Sequence, residues 1–217
     1  MSIEPTRINE ELALYIREHA GGRDEALRLV EDETAAMGDI QIMQTAPEQA
    51  AFLEMLVKLG PGRRAIEVGT FTGYGAIRIA RGLAEEGTLL CCELDPERAE
   101  VARRNVDRAG VGKKVEIRVG PAIETIRALP EEPTFDFAYV DADKTGYPDY
   151  YEALLPRMNQ GGLITFDNVF MAGLILDPDP NEHLAAMQGL NDLLVDDQRV
   201  DSVMLGMADG LTLARVR

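Results

Sequence analysis

Arg64-Ala65-Ile66-Glu67-Val68, Gly69-Thr70-Phe71-Thr72-Gly73-Tyr74-Gly75 and Ala76-Ile77-Arg78-Ile79-Ala80 follow one another without a break, and their reading decides the fold. The first block is a short apolar strand, the second a glycine-bearing turn, the third the start of a helical pattern. Glycines let a backbone take positive φ and approach a ligand closely, and the helix N-terminus beyond them offers unpaired N–H groups. The next strand, Thr88-Leu89-Leu90-Cys91-Cys92, ends in Glu93, about twenty residues after the turn, where a carboxylate can accept ribose hydroxyls. A dinucleotide fingerprint would need glycines at 69, 71 and 74, but the last two positions hold Phe71 and Tyr74. A GxxxG turn with acids at both strand ends suggests S-adenosylmethionine instead.

Downstream, Phe135-Asp136-Phe137-Ala138-Tyr139-Val140 runs into Asp141-Ala142-Asp143-Lys144, and Gly162-Leu163-Ile164-Thr165-Phe166 runs into Asp167-Asn168. Adjacent parallel strands would bring Asp141, Asp167 and Asn168 to one sheet edge. Three hard oxygen donors there suit Mg²⁺, Ca²⁺ or Mn²⁺ far better than Zn²⁺. Each residue alone has a duller reading. A strand-end aspartate often caps the next helix, an Asp-Asn pair often opens a turn, and Lys144 or Glu93 by itself is a solvated surface charge. His183 reads as a solvated residue near a helix start, and Tyr74, Tyr147 and Tyr151 read first as packing residues.

The rest of the chain has the rhythm of a parallel sheet covered on both faces. Strands near 63–68, 88–93, 114–119, 135–140 and 161–166 alternate with helices near 73–85, 96–109, 121–129 and 146–157. Helical segments at about 7–19, 23–37 and 47–59 precede them, and Gly60-Pro61-Gly62 breaks the last. Asp95 is an expected helix N-cap, with Pro96 at the first helical position. After an Asp- and Pro-rich loop at 177–181 comes a helix to about 196; Ala208-Asp209-Gly210 then joins two strands as a β-hairpin.

Composition narrows the class. The 217 residues can bury one sizeable core, and no apolar run approaches membrane-span length. A net charge of −16 repels phosphate backbones and counts against a nucleic-acid partner. Met1-Ser-Ile-Glu-Pro-Thr6 lacks the basic and apolar regions of a secretory signal, and Cys91 and Cys92 read as reduced core thiols. The expectation is a cytoplasmic protein with a small-molecule substrate.

Glu67-Val-Gly-Thr-Phe-Thr-Gly-Tyr74, Gly120-Pro-Ala122, Val140-Asp-Ala-Asp-Lys144, Gly161-Gly162, Asp167-Asn168 and Asp209-Gly-Leu-Thr-Leu-Ala214 together keep an order and spacing that resembles the metal-dependent class I O-methyltransferases of the caffeoyl-CoA and catechol type, over roughly residues 40 to 217. The resemblance implies a Rossmann-like α/β fold: a seven-stranded, mostly parallel sheet with helices on both faces, a C-terminal antiparallel hairpin and added N-terminal helices. It implies one methyltransferase domain over 1–217, in which 1–45 form a helical segment for substrate cover and dimer contacts and 46–217 the cofactor- and metal-binding core. By the same resemblance, Asp141, Asp167 and Asn168 would hold a divalent cation, Mg²⁺ first, and Lys144 with Asp141 would be catalytic, Lys144 as general base. Glu67, Gly69, Thr70, Phe71, Gly73, Tyr74, Glu93, Leu94, Pro121, Ala122, Asp141, Asp143 and Tyr150 would hold S-adenosylmethionine, leaving S-adenosylhomocysteine as product.

The expected function is methylation of one hydroxyl of a catechol-like molecule. The alternatives are a methyltransferase acting on a phenol without a vicinal hydroxyl, or a non-catalytic S-adenosylmethionine-binding protein on the same fold. Two positions depart from the family pattern. Gly75 stands where many relatives carry a serine, and Phe170-Met171-Ala172-Gly173 replaces a turn that often contains tryptophan. That turn and the N-terminal segment are the expected substrate walls, with a pliable methionine in place of a rigid indole. Surplus apolar residues in the N-terminal helices (Leu12, Leu14, Ile16, Leu27, Leu29, Met37, Ile40, Ile42, Met43) point to a homodimer.

Overall fold

The computed structural model describes residues 6–217; Met1 to Pro5, on which part of the leader reading rests, lie outside the described residues. Helix α1 (Glu10–Glu18) starts where the Asn9 side chain accepts a bond from Leu12 N–H, and α2 (Glu25–Ala35) starts the same way at Asp24. Gly38–Met43, for which the sequence pattern gave no element, forms a 3-10 turn. Helix α3 (Pro47–Leu59) has proline in its first turn, where a missing N–H costs nothing, and ends at Gly60. The alternating units follow: β1 (Arg64–Val68), α4 (Tyr74–Gly82), β2 (Thr88–Glu93), α5 (Pro96–Arg108), β3 (Val115–Val119), α6 (Ala122–Ala128), β4 (Phe135–Val140), α7 (Tyr147–Leu154), β5 (Met158–Asp167), α8 (Glu182–Asp196), β6 (Val200–Leu205) and β7 (Leu211–Val216). The expected cap at Asp95 is present, its carboxylate accepting from Glu97 and Arg98 N–H.

Among the described residues these strands form one seven-stranded sheet in the order β3-β2-β1-β4-β5-β7-β6. The first five strands are parallel, whereas β7 runs antiparallel to β5 and β6, which is the expected terminal hairpin. Because β1 lies between β2 and β4, the chain reverses its direction of winding there, and such a switch point opens a crevice beyond the strand ends. Register sets which residues meet in it. Val68 pairs with Cys92 on one side and Val140 on the other, and Val140 pairs with Phe166. Gly69, Glu93, Asp141 and Asp167 are therefore delivered to the same edge.

Side chains alternate across the sheet and build two cores. Ile66, Val68, Ala138, Val140, Ile164 and Phe166 pack with Tyr147, Tyr151, Met187 and Leu190 on one face. Ala65, Leu89, Phe137 and Tyr139 pack with Leu27, Val30, Leu53, Ile77 and Ile79 on the other. Cys91 and Cys92 are both buried and free, and they fall into opposite cores.

Two boundaries differ from the sequence pattern. Strand β5 begins at Met158, ahead of the glycine pair, because Asn159 Nδ2 bonds Asp136 Oδ1 at 2.9 Å and the β4–β5 register shifts between Phe135 and Phe137. The segment after Asn168 is a 3-10 turn, Met171–Leu176, with Met171 and Ala172 at positive φ.

Candidate active site

The crevice beyond the strand ends has a volume of about 1280 Å³. Its floor is the glycine turn. Gly69 sits at φ 92°, and a β-carbon there would lie 2.0 Å from the Asp141 carbonyl oxygen, so only glycine lets β1 and β4 end side by side. Gly73, at φ 89°, is the N-cap of α4, and a β-carbon there would press on Ala102 of α5 at 3.3 Å. The Thr70 hydroxyl faces this space, buried and without a hydrogen-bond partner among the described residues. A buried hydroxyl on a crevice wall with no protein partner is a polar contact that a ligand can take up.

Glu93 does more than sequence position suggests. Its Oε2 accepts from Thr70 N–H at 3.1 Å and Phe71 N–H at 2.8 Å, and its Oε1 accepts from Asp95 N–H at 3.0 Å. The carboxylate thus fastens the glycine turn to the end of β2. A carboxylate has about four acceptor sites, so Oε1 is the oxygen with most capacity left for a ligand hydroxyl.

Glu67 lies behind the turn at 1% exposure, and the Cys91 thiol donates to its Oε2 at 3.3 Å. Burial, partly offset by the bond from Cys91 and reinforced by the charges of Asp141 and Glu93, pushes its pKa up to about 8. Burial likewise drives the Cys91 thiol well above its ordinary range, so the proton stays on sulfur. A β-carbon at Gly75 would sit 2.5 Å from Glu67 Oε1, so the departure from serine at this position clears space for the Glu67 side chain.

Of the residues read as cofactor contacts, Gly69, Thr70, Phe71, Tyr74, Glu93, Leu94, Pro121, Ala122, Asp141, Asp143 and Tyr150 all line this one crevice, while Glu67 and Gly73 stand behind its wall. Tyr74 also packs: its hydroxyl donates to Glu31 Oε1 at 2.8 Å and ties α4 to α2. Tyr150 donates to Asp143 Oδ1 at 2.5 Å. Tyr147 and Tyr151 are core residues, and His183 is exposed at the start of α8.

Asp141, Asp167, Asn168 and Lys144 meet at the far side of the crevice. Lys144 Nζ lies 3.0 Å from Asp141 Oδ1, 2.6 Å from Asn168 Oδ1 and 2.8 Å from the Tyr147 hydroxyl. Asn168 takes φ 56°, a left-handed conformation that asparagine tolerates better than most residues. Asp167 is buried and accepts from its neighbour Asn168 N–H at 2.6 Å. Burial first, and then the charge of Asp141, pushes its pKa upward. Two carboxylates held together in a desolvated corner are short of positive charge, and the Lys144 side chain stands against them to supply it. Among the described residues there is no cluster of three or more His, Cys, Asp or Glu side chains able to hold a metal. The donor set here is two carboxylates and an amide oxygen, which fits a hard cation that keeps water or substrate in its remaining positions.

Three residues of this corner had no assigned role in the sequence pattern. The Tyr139 hydroxyl donates to Asp167 Oδ2 at 2.6 Å, and Gln49 and Thr45 in turn contact that hydroxyl. The available signal was strand alternation, which puts residue 139 on the same side as 141. Of the two segments expected to form substrate walls, the N-terminal one lines the crevice through Gln41 to Pro47. The turn at Phe170 to Gly173 does not line it. Phe170 and Met171 pack partly buried against the core, and the β6–β7 turn, through Ala208 and Asp209, lines the crevice instead. Asp209 holds that arrangement by accepting from Ala172 N–H at 2.8 Å.

Over residues 17–217 the sequence matches the family model described as O-methyltransferase. It is 36% identical over 221 residues to a catechol O-methyltransferase of Niastella koreensis, an alignment covering 97% of this chain and 99% of that one. It is 37% identical over 177 residues to a probable caffeoyl-CoA O-methyltransferase 1 of Dictyostelium discoideum, covering 79% and 77% of the two chains. Among solved structures it is similar to the O-methyltransferase of Bacillus cereus in complex with SAH, with a TM-score of 0.87, 30% identity and coverage of 95% and 97%.

Proposed function

The chain belongs to the O-methyltransferase family, and from that premise we propose that it moves the methyl group of S-adenosylmethionine to one hydroxyl of a catechol-like small molecule, with a divalent cation, Mg²⁺ first, held by Asp141, Asp167 and Asn168. The observation that carries this reading is the convergence of the glycine turn, the two carboxylates, Asn168 and Lys144 on one crevice.

Displacement at a sulfonium needs no protein nucleophile, so the residues act mainly by holding oxygen, methyl carbon and sulfur in line. The turn Gly69–Gly73 and Glu93 position the donor, with Glu93 Oε1 and the Thr70 hydroxyl as polar contacts. Asp141, Asp167 and Asn168 would hold the cation, which would supply Lewis-acid chemistry that makes a neighbouring hydroxyl more acidic. With the cation supplying the positive charge of that corner, Lys144 would act as a neutral amine and accept the proton of the reacting hydroxyl; its Nζ already stands at the oxygens that define that corner. As the new C–O bond forms, the S–CH₃ bond breaks and its electron pair returns to sulfur. Gln41 to Pro47 and the Ala208-Asp209 turn close the crevice around the acceptor.

The test is a panel of catechols and matched monophenols incubated with S-adenosylmethionine, scored by methyl ether and S-adenosylhomocysteine. Catechols should be methylated on one hydroxyl and monophenols left nearly untouched; equal turnover of both would overturn the catechol assignment.

The same reading takes the N-terminal segment as substrate cover and dimer contact and the rest of the chain as one catalytic unit. Leu14, Ile16, Leu29, Ile40, Ile42 and Met43 remain exposed, and a second copy is the proposed cover for them. No helix among the described residues is long and apolar enough to cross a membrane, and two free buried thiols agree with a reducing, cytoplasmic setting.

A further inference from the structure

Tyr139 stands near the end of β4 with its ring buried at 1% exposure, yet its hydroxyl has more polar contacts than any packing role needs. A phenol has one proton to donate. At 2.6 Å, Asp167 Oδ2 takes it, leaving Asp141 Oδ2 at 3.4 Å as the weaker contact. The phenol oxygen then acts as acceptor for Gln49 Nε2 at 3.1 Å, and because its own proton is committed, Thr45 Oγ1 at 3.3 Å is a donor to it as well. Donors that polarise a hydroxyl strengthen the bond it gives onward, so Gln49 and Thr45 act on Asp167 through the ring. With Asn168 N–H on Oδ1 and Tyr139 on Oδ2, both oxygens of Asp167 are held and the plane of the carboxylate is fixed.

We infer that Tyr139 is a positioning residue for the cation, orienting the Asp167 carboxylate and linking it to Thr45, at the end of the N-terminal segment, and to Gln49 of α3. The inference rests on the cation reading above. Groups that orient metal ligands from the outer layer typically carry about 10- to 100-fold of metal affinity.

Calorimetric titration of the full chain with Mg²⁺, and of Tyr139→Phe and Gln49→Met alongside it, tests this. Tyr139→Phe should bind the cation roughly 10- to 100-fold more weakly, and the cation concentration for half-maximal activity should rise by the same factor. Gln49→Met, which leaves both carboxylates and the phenol in place, should weaken binding in the same direction by about 2- to 10-fold, the effect of one hydrogen bond. It keeps the test decisive if Tyr139→Phe fails to fold. Parent-like Mg²⁺ affinity in a folded Tyr139→Phe, even with a lowered melting temperature, would show a merely structural role and overturn the inference alone. A parent protein that takes up no Mg²⁺ would overturn both the inference and the cation reading.

Discussion

Replacing Glu67 by Gln should make the chain markedly more stable than the parent at alkaline pH and not at acid pH. Glu67 is 1% exposed, so solvent screening gives no reason to discount its shift. Burial is the largest cause of the rise from 4.5 to about 8, and Asp141 and Glu93 add repulsion that the bond from Cys91 only partly offsets. The sign follows from where the proton sits. Below 4.5 both folded and unfolded chains carry a neutral carboxyl and nothing is lost. Between 4.5 and about 8 the unfolded chain releases the proton while the folded chain keeps it, so stability falls with rising pH; above that window the loss is complete. Each pH unit inside the window removes up to about 1.4 kcal/mol, which makes the full loss roughly 4 to 5 kcal/mol. Glutamine cannot ionise and escapes it. Urea unfolding of parent and Glu67→Gln from pH 5 to pH 9, without ligand, reads the difference directly, and comparing the pair cancels the other titrating groups. The advantage of Glu67→Gln should grow through the window and then level off. Parallel curves would refute the claim that Glu67 is held neutral in the folded chain.

Glu93→Ala should weaken S-adenosylmethionine binding by at least about 10-fold, since charge-assisted bonds contribute roughly 1.5 to 3 kcal/mol each. It should also lower the melting temperature, because Thr70, Phe71 and Asp95 N–H lose their acceptor; unchanged affinity by calorimetry would show the crevice to be misassigned. Lys144→Ala should lower kcat by about 10²- to 10⁴-fold with little change in cofactor affinity, and the deficit should shrink for acidic nitrocatechols. A deficit that is the same across catechols of widely different acidity would make Lys144 a substrate-positioning group and not the base. Light scattering at micromolar concentration should give the mass of a dimer; a monomer mass would leave the exposed Leu14, Ile16 and Ile42 without their proposed cover.

What the sequence made legible is local. Gly69 through Gly75 declare their turn because few residues other than glycine tolerate the positive φ and close approach found at Gly69 and Gly73. Asp141, Asp167 and Asn168 could be brought together on paper because each directly follows an apolar strand, and parallel register does the rest. What stayed hidden depends on contacts between distant segments. The hydroxyl of Tyr139 looks like one more buried aromatic until α3 places Gln49 against it, ninety residues away in sequence. Glu93 could be placed at a strand end, but not the allocation of its acceptor sites to the backbone of another loop. The Phe170-Met171 turn looked like a substrate wall because its apolar residues follow Asn168 directly. Only the closing of β7 against β5 shows that Asp209 ties the turn back and that the core takes up Met171.

The dependence of methyl transfer on a divalent cation is the most direct test of the central claim. Protein stripped with excess chelator should convert no catechol in the presence of S-adenosylmethionine, activity should return on adding Mg²⁺, and Asp141→Ala should stay inactive at any Mg²⁺ concentration while keeping its fold. Full turnover in metal-free buffer, or an active Asp141→Ala, would contradict the account.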